Sequence, residues 1–97
     1  MPTRIVGVAA TNTAVAVGAA STAILAANSY RIGLILTNDS DETIYLALGA
    51  VAVMNQGIRL NANGGSWSMD SRALWLGAVS GICASGGKNL AICQLEA

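Results

Sequence analysis

The residues able to do covalent or metal chemistry in this chain are few. The two cysteines, Cys83 and Cys93, are the strongest nucleophiles. A catalytic thiol needs a base to make its thiolate, and the sequence contains no His. Two thiolates are also too few for a tetrahedral metal site, and His, the commonest nitrogen ligand, is missing. If Gly86-Gly87 forms a two-residue turn, Cys83 falls opposite Leu90, and Cys93 points to the other face. That register forbids a disulfide, and a three- or five-residue loop would put the thiols on one face but not directly opposite, so two free, largely buried thiols are expected. Asp39, Asp41 and Glu42 place three carboxylates in four residues. Their spacing lacks the mid-loop Gly and terminal bidentate Glu of a calcium loop, so a solvated turn is expected. Asn38-Asp39-Ser40 also fits a glycosylation sequon, a match expected to be accidental in a chain without a convincing signal peptide.

Trp67 and Trp75 are suited to stacking on sugar rings, with Asn63, Asp70 and Arg72 as polar partners. In a chain without Phe the same indoles are needed as core or interface bulk, which is the preferred reading. Gly64-Gly65 and Gly86-Gly87 lack the Lys-Ser/Thr spacing of a phosphate loop. No carboxylate pair marks a glycosidase. The expectation is therefore a non-enzymatic protein with no cofactor and no metal.

Ninety-seven residues make one domain, 1–97. Five Lys and Arg balance five Asp and Glu, and only 10% of the chain is charged. No basic cluster suggests nucleic acid or an anionic membrane surface. Of the 54% hydrophobic residues, eighteen are Ala. So neutral a surface on so small a domain favours self-association or cover by a larger assembly.

Residues 5–30 carry no charge. The stretch is long enough to cross a bilayer, but Thr11, Asn12, Thr13, Ser21, Thr22 and Asn28 interrupt it. A signal peptide, with Arg4 before an apolar run at 5–10, is broken early by the same Thr-Asn-Thr. Two consecutive strands are the preferred reading.

The elements holding these residues read as short strands between turns, at 14–17, 22–26, 30–37, 43–48, 57–60, 66–69, 78–85 and 89–95. Residues 73–76 suit a strand or one helical turn, and 48–54 a loop or single turn. Residues 30–37 and 43–48 alternate around a polar loop at 38–42, which predicts a β-hairpin. Recurrence every 8–12 residues predicts an all-β fold, an antiparallel β-sandwich or a barrel in a single domain. An extended N-terminal arm is expected at 1–13. Several positions on the strands' wet sides are small or apolar: Ala14, Ala16, Ala23, Gly33, Ile35, Tyr45, Ala47 and Ala91. That composition predicts an outer face packed on a neighbouring subunit. Ile5, Val6, Val8, Trp67 and Trp75 are the candidate interface residues.

One pattern goes further. Residues 31–40 read Arg-x-x-Leu-x-hydrophobic-x-Asn-x-Ser, followed by Ile44-Tyr45-Leu46, Gly49 and Gly57-Ile58-Arg59-Leu60. This resembles small virion proteins of tailed bacteriophages over roughly residues 31–67. The resemblance implies a structural role for Arg31, Asn38, Ser40 and Tyr45. It implies an antiparallel β-sandwich or jelly-roll-like subunit that serves as a head decoration or cement protein, a homotrimer that clamps the major capsid protein at the capsid surface. Such a virion protein is made in the bacterial host cytoplasm and needs no nucleic acid or membrane. Similar phage proteins belong to tails, necks or fibres. A carbohydrate-binding module using Trp67 and Trp75 is the alternative from another class, and a small exported surface protein a further one.

Overall fold

Residues 7–97 are described by a computed structural model. The strands are β1 (Ala9–Val17), β2 (Thr22–Leu25), β3 (Arg31–Asn38), β4 (Ile44–Leu48), β5 (Ile58–Leu60), β6 (Ser66–Met69), β7 (Val79–Cys83) and β8 (Lys88–Glu96). Among the described residues there is no helix, and so none long and apolar enough to cross a membrane. Two antiparallel four-stranded sheets face each other, ordered β1-β8-β3-β6 and β2-β7-β4-β5. The pairing is nested: β1 lies beside β8, β2 beside β7, β3 beside β6 and β4 beside β5. Only the β4–β5 connection stays within one sheet, and every other connection crosses the core.

This topology corrects the expected hairpin at 30–37 and 43–48. Both strands form, but β3 and β4 lie in opposite sheets. A period of two tells which side of a strand is apolar, not which strand lies beside it. Leu34 and Leu36 of β3 meet Ile44 and Leu46 of β4 across the core rather than along an edge. The same holds for β7 and β8: Cys83 pairs with Ile44 of β4, not with Leu90, which lies beside Val15 and Asn38 in the other sheet. Both thiols are free, as expected, with Cys83 buried in the core and Cys93 half-buried.

The N-terminal boundary also moves. β1 begins at Ala9, and Ala9–Thr13 pair with β8 from Glu96 back to Ile92. Residues 9–13 are thus strand rather than arm, because their backbone is paired along β8 despite the weak strand preference of Ala and Asn. Ile5 and Val6 lie outside the described residues. Residues 73–76 form neither strand nor helix, and 49–57 are loop with a turn at 54–55.

The core is shared evenly between the layers. Val17, Leu34, Leu36, Met69, Leu90 and Ile92 come from one sheet. Ile24, Ile44, Leu46, Leu60, Val79 and Cys83 come from the other. Val15, Leu25, Ile58, Trp67 and Leu74 close its margins.

Candidate interaction surface

β3 anchors the fold at both ends. On its outward side lie Gly33, Ile35 and Thr37, and Arg31 shares their parity. A bulge breaks that parity: Arg31 pairs with Glu96 but Gly33 with Leu95, so one extra residue sits on β3. The bulge turns Arg31 inward, where only 1% of it is exposed. Its Nε donates to Gln94 Oε1 at 2.7 Å. Nη1 donates to the Trp75 and Gly77 carbonyls at 2.9 and 3.0 Å, and Nη2 to the Ala26 carbonyl at 2.9 Å. Burial pulls the guanidinium below its usual pKa, and the charge of nearby Glu96 opposes that shift.

Asn38 closes the other end and is fully buried. Its Nδ2 donates to the Glu42 carbonyl at 2.7 Å and to the Leu60 carbonyl at 3.1 Å. Its Oδ1 accepts from Ser40 Oγ at 2.6 Å. The acidic loop beside it is tied to the β7–β8 turn. Lys88 Nζ reaches Asp41 at 2.8 Å, and Glu42 accepts from the Ser85 amide and hydroxyl at 2.6 and 2.8 Å. Those bonds hold both carboxyls below their usual pKa and the Lys88 ammonium above its own. Tyr45 points outward, and its hydroxyl donates to Asn55 Oδ1 at 3.0 Å. All four residues of the resemblance motif therefore make structural contacts.

The remaining candidates do not converge. Trp67 points inward and packs on the core margin. Trp75 lies in the β6–β7 loop, its ring against the backbones of Gly49 and Gly77 and its Nε1 donating to the Ala78 carbonyl at 3.0 Å. The two indoles form no common platform. Val8 is exposed next to the start of β1.

The sandwich has two outer faces, and they differ. Over the β2-β7-β4-β5 sheet the chain supplies its own cover. The loop at 49–57 reaches back across it, with the Ala52 amide on Ser21 Oγ at 2.9 Å and Asn55 on the Tyr45 hydroxyl. Ala52 is consequently 4% exposed, and Ile82, on the outward side of β7, only 9%. Over the β1-β8-β3-β6 sheet no loop of the described residues plays this part. The strand registers place Ala10, Asn12, Ala14 and Ala16 of β1 outward beside Asn89, Ala91, Cys93 and Leu95 of β8. Gly33, Ile35 and Thr37 of β3 follow, then Ser66 and Ser68 of β6. None of these thirteen is charged.

This face is shallow and nearly flat. One depression runs between Asn12, Ala14, Ile35, Thr37, Ala91 and Cys93. A second, toward the Arg31 end, lies among Gly33, Ile35, Ser68, Leu95 and the rim carboxylate Asp70. Gly33 leaves room for Leu95 to lie across β3, since a Cβ there would stand 3.1 Å from Leu95 Cδ1. Ile35, at 45% exposure, is the largest apolar side chain on open display there. Such a surface offers apolar area with scattered hydroxyl and amide groups, which suits shape-matched protein contact.

In comparisons with protein-family models, curated proteins and solved structures, nothing matches this chain.

The sequence pointed to the outward small residues but not to their division between faces. The self-covering loop at 49–57 gave no periodic signal. Gln94, the buried side-chain partner of Arg31, looked like any strand polar residue.

Proposed function

We propose that this chain is a structural virion protein, a capsid decoration or cement subunit that clamps neighbouring major capsid proteins and stabilises the head. The observation that carries the reading is the uncharged outer face of the β1-β8-β3-β6 sheet. The chain covers its other face itself, and a charge-free sheet face that no described residue covers, on a neutral domain, calls for a protein neighbour. The phage context rests on the resemblance of residues 31–67 to small virion proteins. The nested strand order of the two sheets is compatible with a jelly roll, an architecture used by viral capsid proteins, lectins and cupins, which supports this role. High copy number on a symmetric shell would multiply a modest contact into firm attachment.

Quantitative mass spectrometry of purified particles tests it. A copy number near that of the shell protein, or a simple fraction of it, supports the decoration role. A few to a few dozen copies transfers the chain to tail, neck or fibre. Absence from particles overturns the virion reading. A sugar-binding role is poorly served by this geometry, because Trp67 faces the core.

A further inference from the structure

A sheet edge carries unpaired backbone N–H and C=O groups, and proteins blunt such edges by shortness, charge, proline or bulges. Among the described residues the fold has four edges: β1 and β6 in one sheet, β2 and β5 in the other. β5 is three residues long and carries Arg59. β2 is four residues with an irregular register, and β6 is also four. β1 is nine residues, runs in unbroken register along β8, and has neither charge nor proline. Its first six residues are exposed. Among the described residues nothing pairs along its outer side.

We propose that β1 pairs antiparallel with β1 of a second copy of this chain about a twofold axis, joining two four-stranded sheets into one of eight strands. Length favours a like partner, because a head-to-tail contact would set nine residues against four or three. The strand is also self-complementary. Centring the axis on Thr13 places Thr13 opposite itself, Asn12 opposite Ala14, Thr11 opposite Val15 and Ala10 opposite Ala16. Every residue then meets one on the same side of the sheet, and no charge meets its like. A nine-residue antiparallel ladder supplies about eight to ten interchain hydrogen bonds, the number an ordinary stable interface contains. The uncharged outer faces of the two copies become continuous across the junction. The inference depends on the edge alone, so it stands or falls separately from the virion role.

Sedimentation velocity of the full chain across a concentration series tests it, with two variants. The expected species is a dimer, twice the 9.8 kDa chain. Thr13→Lys sets two ammonium groups together at the axis and should raise the dimer dissociation constant by about tenfold or more. In a Cys93→Ala background, Thr13→Cys should give a disulfide-linked dimer under mild oxidation. Ala10→Cys should not, since the two copies of residue 10 would stand roughly 20 Å apart at about 3.3 Å per residue. The cysteine pair reads the register even if Thr13→Lys folds poorly. A monomer at all concentrations, a trimer, or cross-linking through residue 10 instead of residue 13 would overturn the proposal. A monomer alone that acquires a partner only on shells would mean that β1 receives a strand from another protein.

Discussion

Arg31 and Asn38 stand at opposite ends of β3, and each reaches from its own sheet to backbone carbonyls elsewhere. Arg31 gathers Ala26, Trp75 and Gly77 at one end, and Asn38 gathers Glu42 and Leu60 at the other. Six connections cross between the two sheets, and carbonyls in their loops lack ladder partners and need others. A long forked cation and a small amide meet that need differently. The guanidinium spreads four hydrogen bonds over a wide gap, while the amide ties the β3–β4 loop to the end of β5. Among the described residues no buried side-chain polar atom lacks a partner.

Replacing Arg31 should therefore be costly. Arg31→Met strips partners from three carbonyls and from Gln94 in a site almost closed to water. A loss of about 3–4 kcal/mol is expected, at about 1–3 kcal/mol for each badly stranded group and with partial relaxation. Arg31→Lys keeps the charge without the planar fork and should recover less than half. Urea unfolding monitored by circular dichroism measures both. A loss under about 1 kcal/mol for Arg31→Met would show that water replaces the guanidinium.

Asn38→Asp is nearly isosteric yet removes both Nδ2 hydrogen bonds and sets a carboxylate against two carbonyls. A loss of about 3 kcal/mol is expected at this fully buried position. Ser40→Ala removes the hydroxyl that donates to Asn38 Oδ1 and should lose about 1 kcal/mol. Equal effects for the two variants would mean that the Asn38 donors contribute little. The same urea titrations decide this.

How much of this was legible in the sequence follows from what periodicity encodes. Alternation located β3, β4, β7 and β8 and their apolar sides, because a period of two is a local property. It did not give partners, because Leu34 in a hairpin and Leu34 in a crossed sandwich need the same neighbours in sequence. Thr11-Asn12-Thr13 interrupts the apolar run and so hides the start of β1, which alternation shows only from Ala14 onward. On an edge strand polarity is compatible with full pairing. The motif around Arg31 and Asn38 was visible, but the inward turn of Arg31 was not. That turn depends on a bulge at Ile32, which alternation alone would have pointed the other way. The outward positions Ala14, Ala16, Gly33, Ile35 and Ala91 were recognised as too apolar for water. Which of the outward positions the chain would cover itself depended on a nonperiodic loop.

The acidic loop predicts a two-sided pH profile. Asp41 and Glu42 have folded pKa values below their ordinary 3.8 and 4.5, Asp41 through its bond to Lys88 and Glu42 through its bonds to Ser85. Their contribution is present above those ordinary values and is lost as pH falls through the lower folded ones. Lys88 is shifted up from 10.5 by Asp41, so its contribution is complete below 10.5 and is lost as pH rises through the higher folded value. Unfolding midpoints measured against pH should show a plateau with a shoulder at each end. Glu42→Gln should reduce the acid shoulder, and Lys88→Met should remove the basic one. An unaltered acid limb in Glu42→Gln would assign acid sensitivity to other carboxylates.

The uncovered face gives the most direct test of where the protein docks. Ile35→Lys places an ammonium in the middle of the uncharged β1-β8-β3-β6 surface, at a position already 45% exposed. Folding stability should change by less than about 1 kcal/mol, as expected of a surface site. If this face seats on a shell, attachment to purified heads should fall by at least about tenfold, because a charge buried without a partner in an interface costs more than 1.4 kcal/mol. Val51→Lys puts the same charge on the loop over the opposite sheet, at another exposed apolar position. It should leave attachment unchanged, and it controls for a general effect of added positive charge. The readout is the bound fraction after sedimentation of heads mixed with each variant. Loss of attachment with Val51→Lys and not with Ile35→Lys would move the docking surface to the loop-covered face. Loss with both would point instead to electrostatic repulsion from the shell, which raising the salt concentration would relieve.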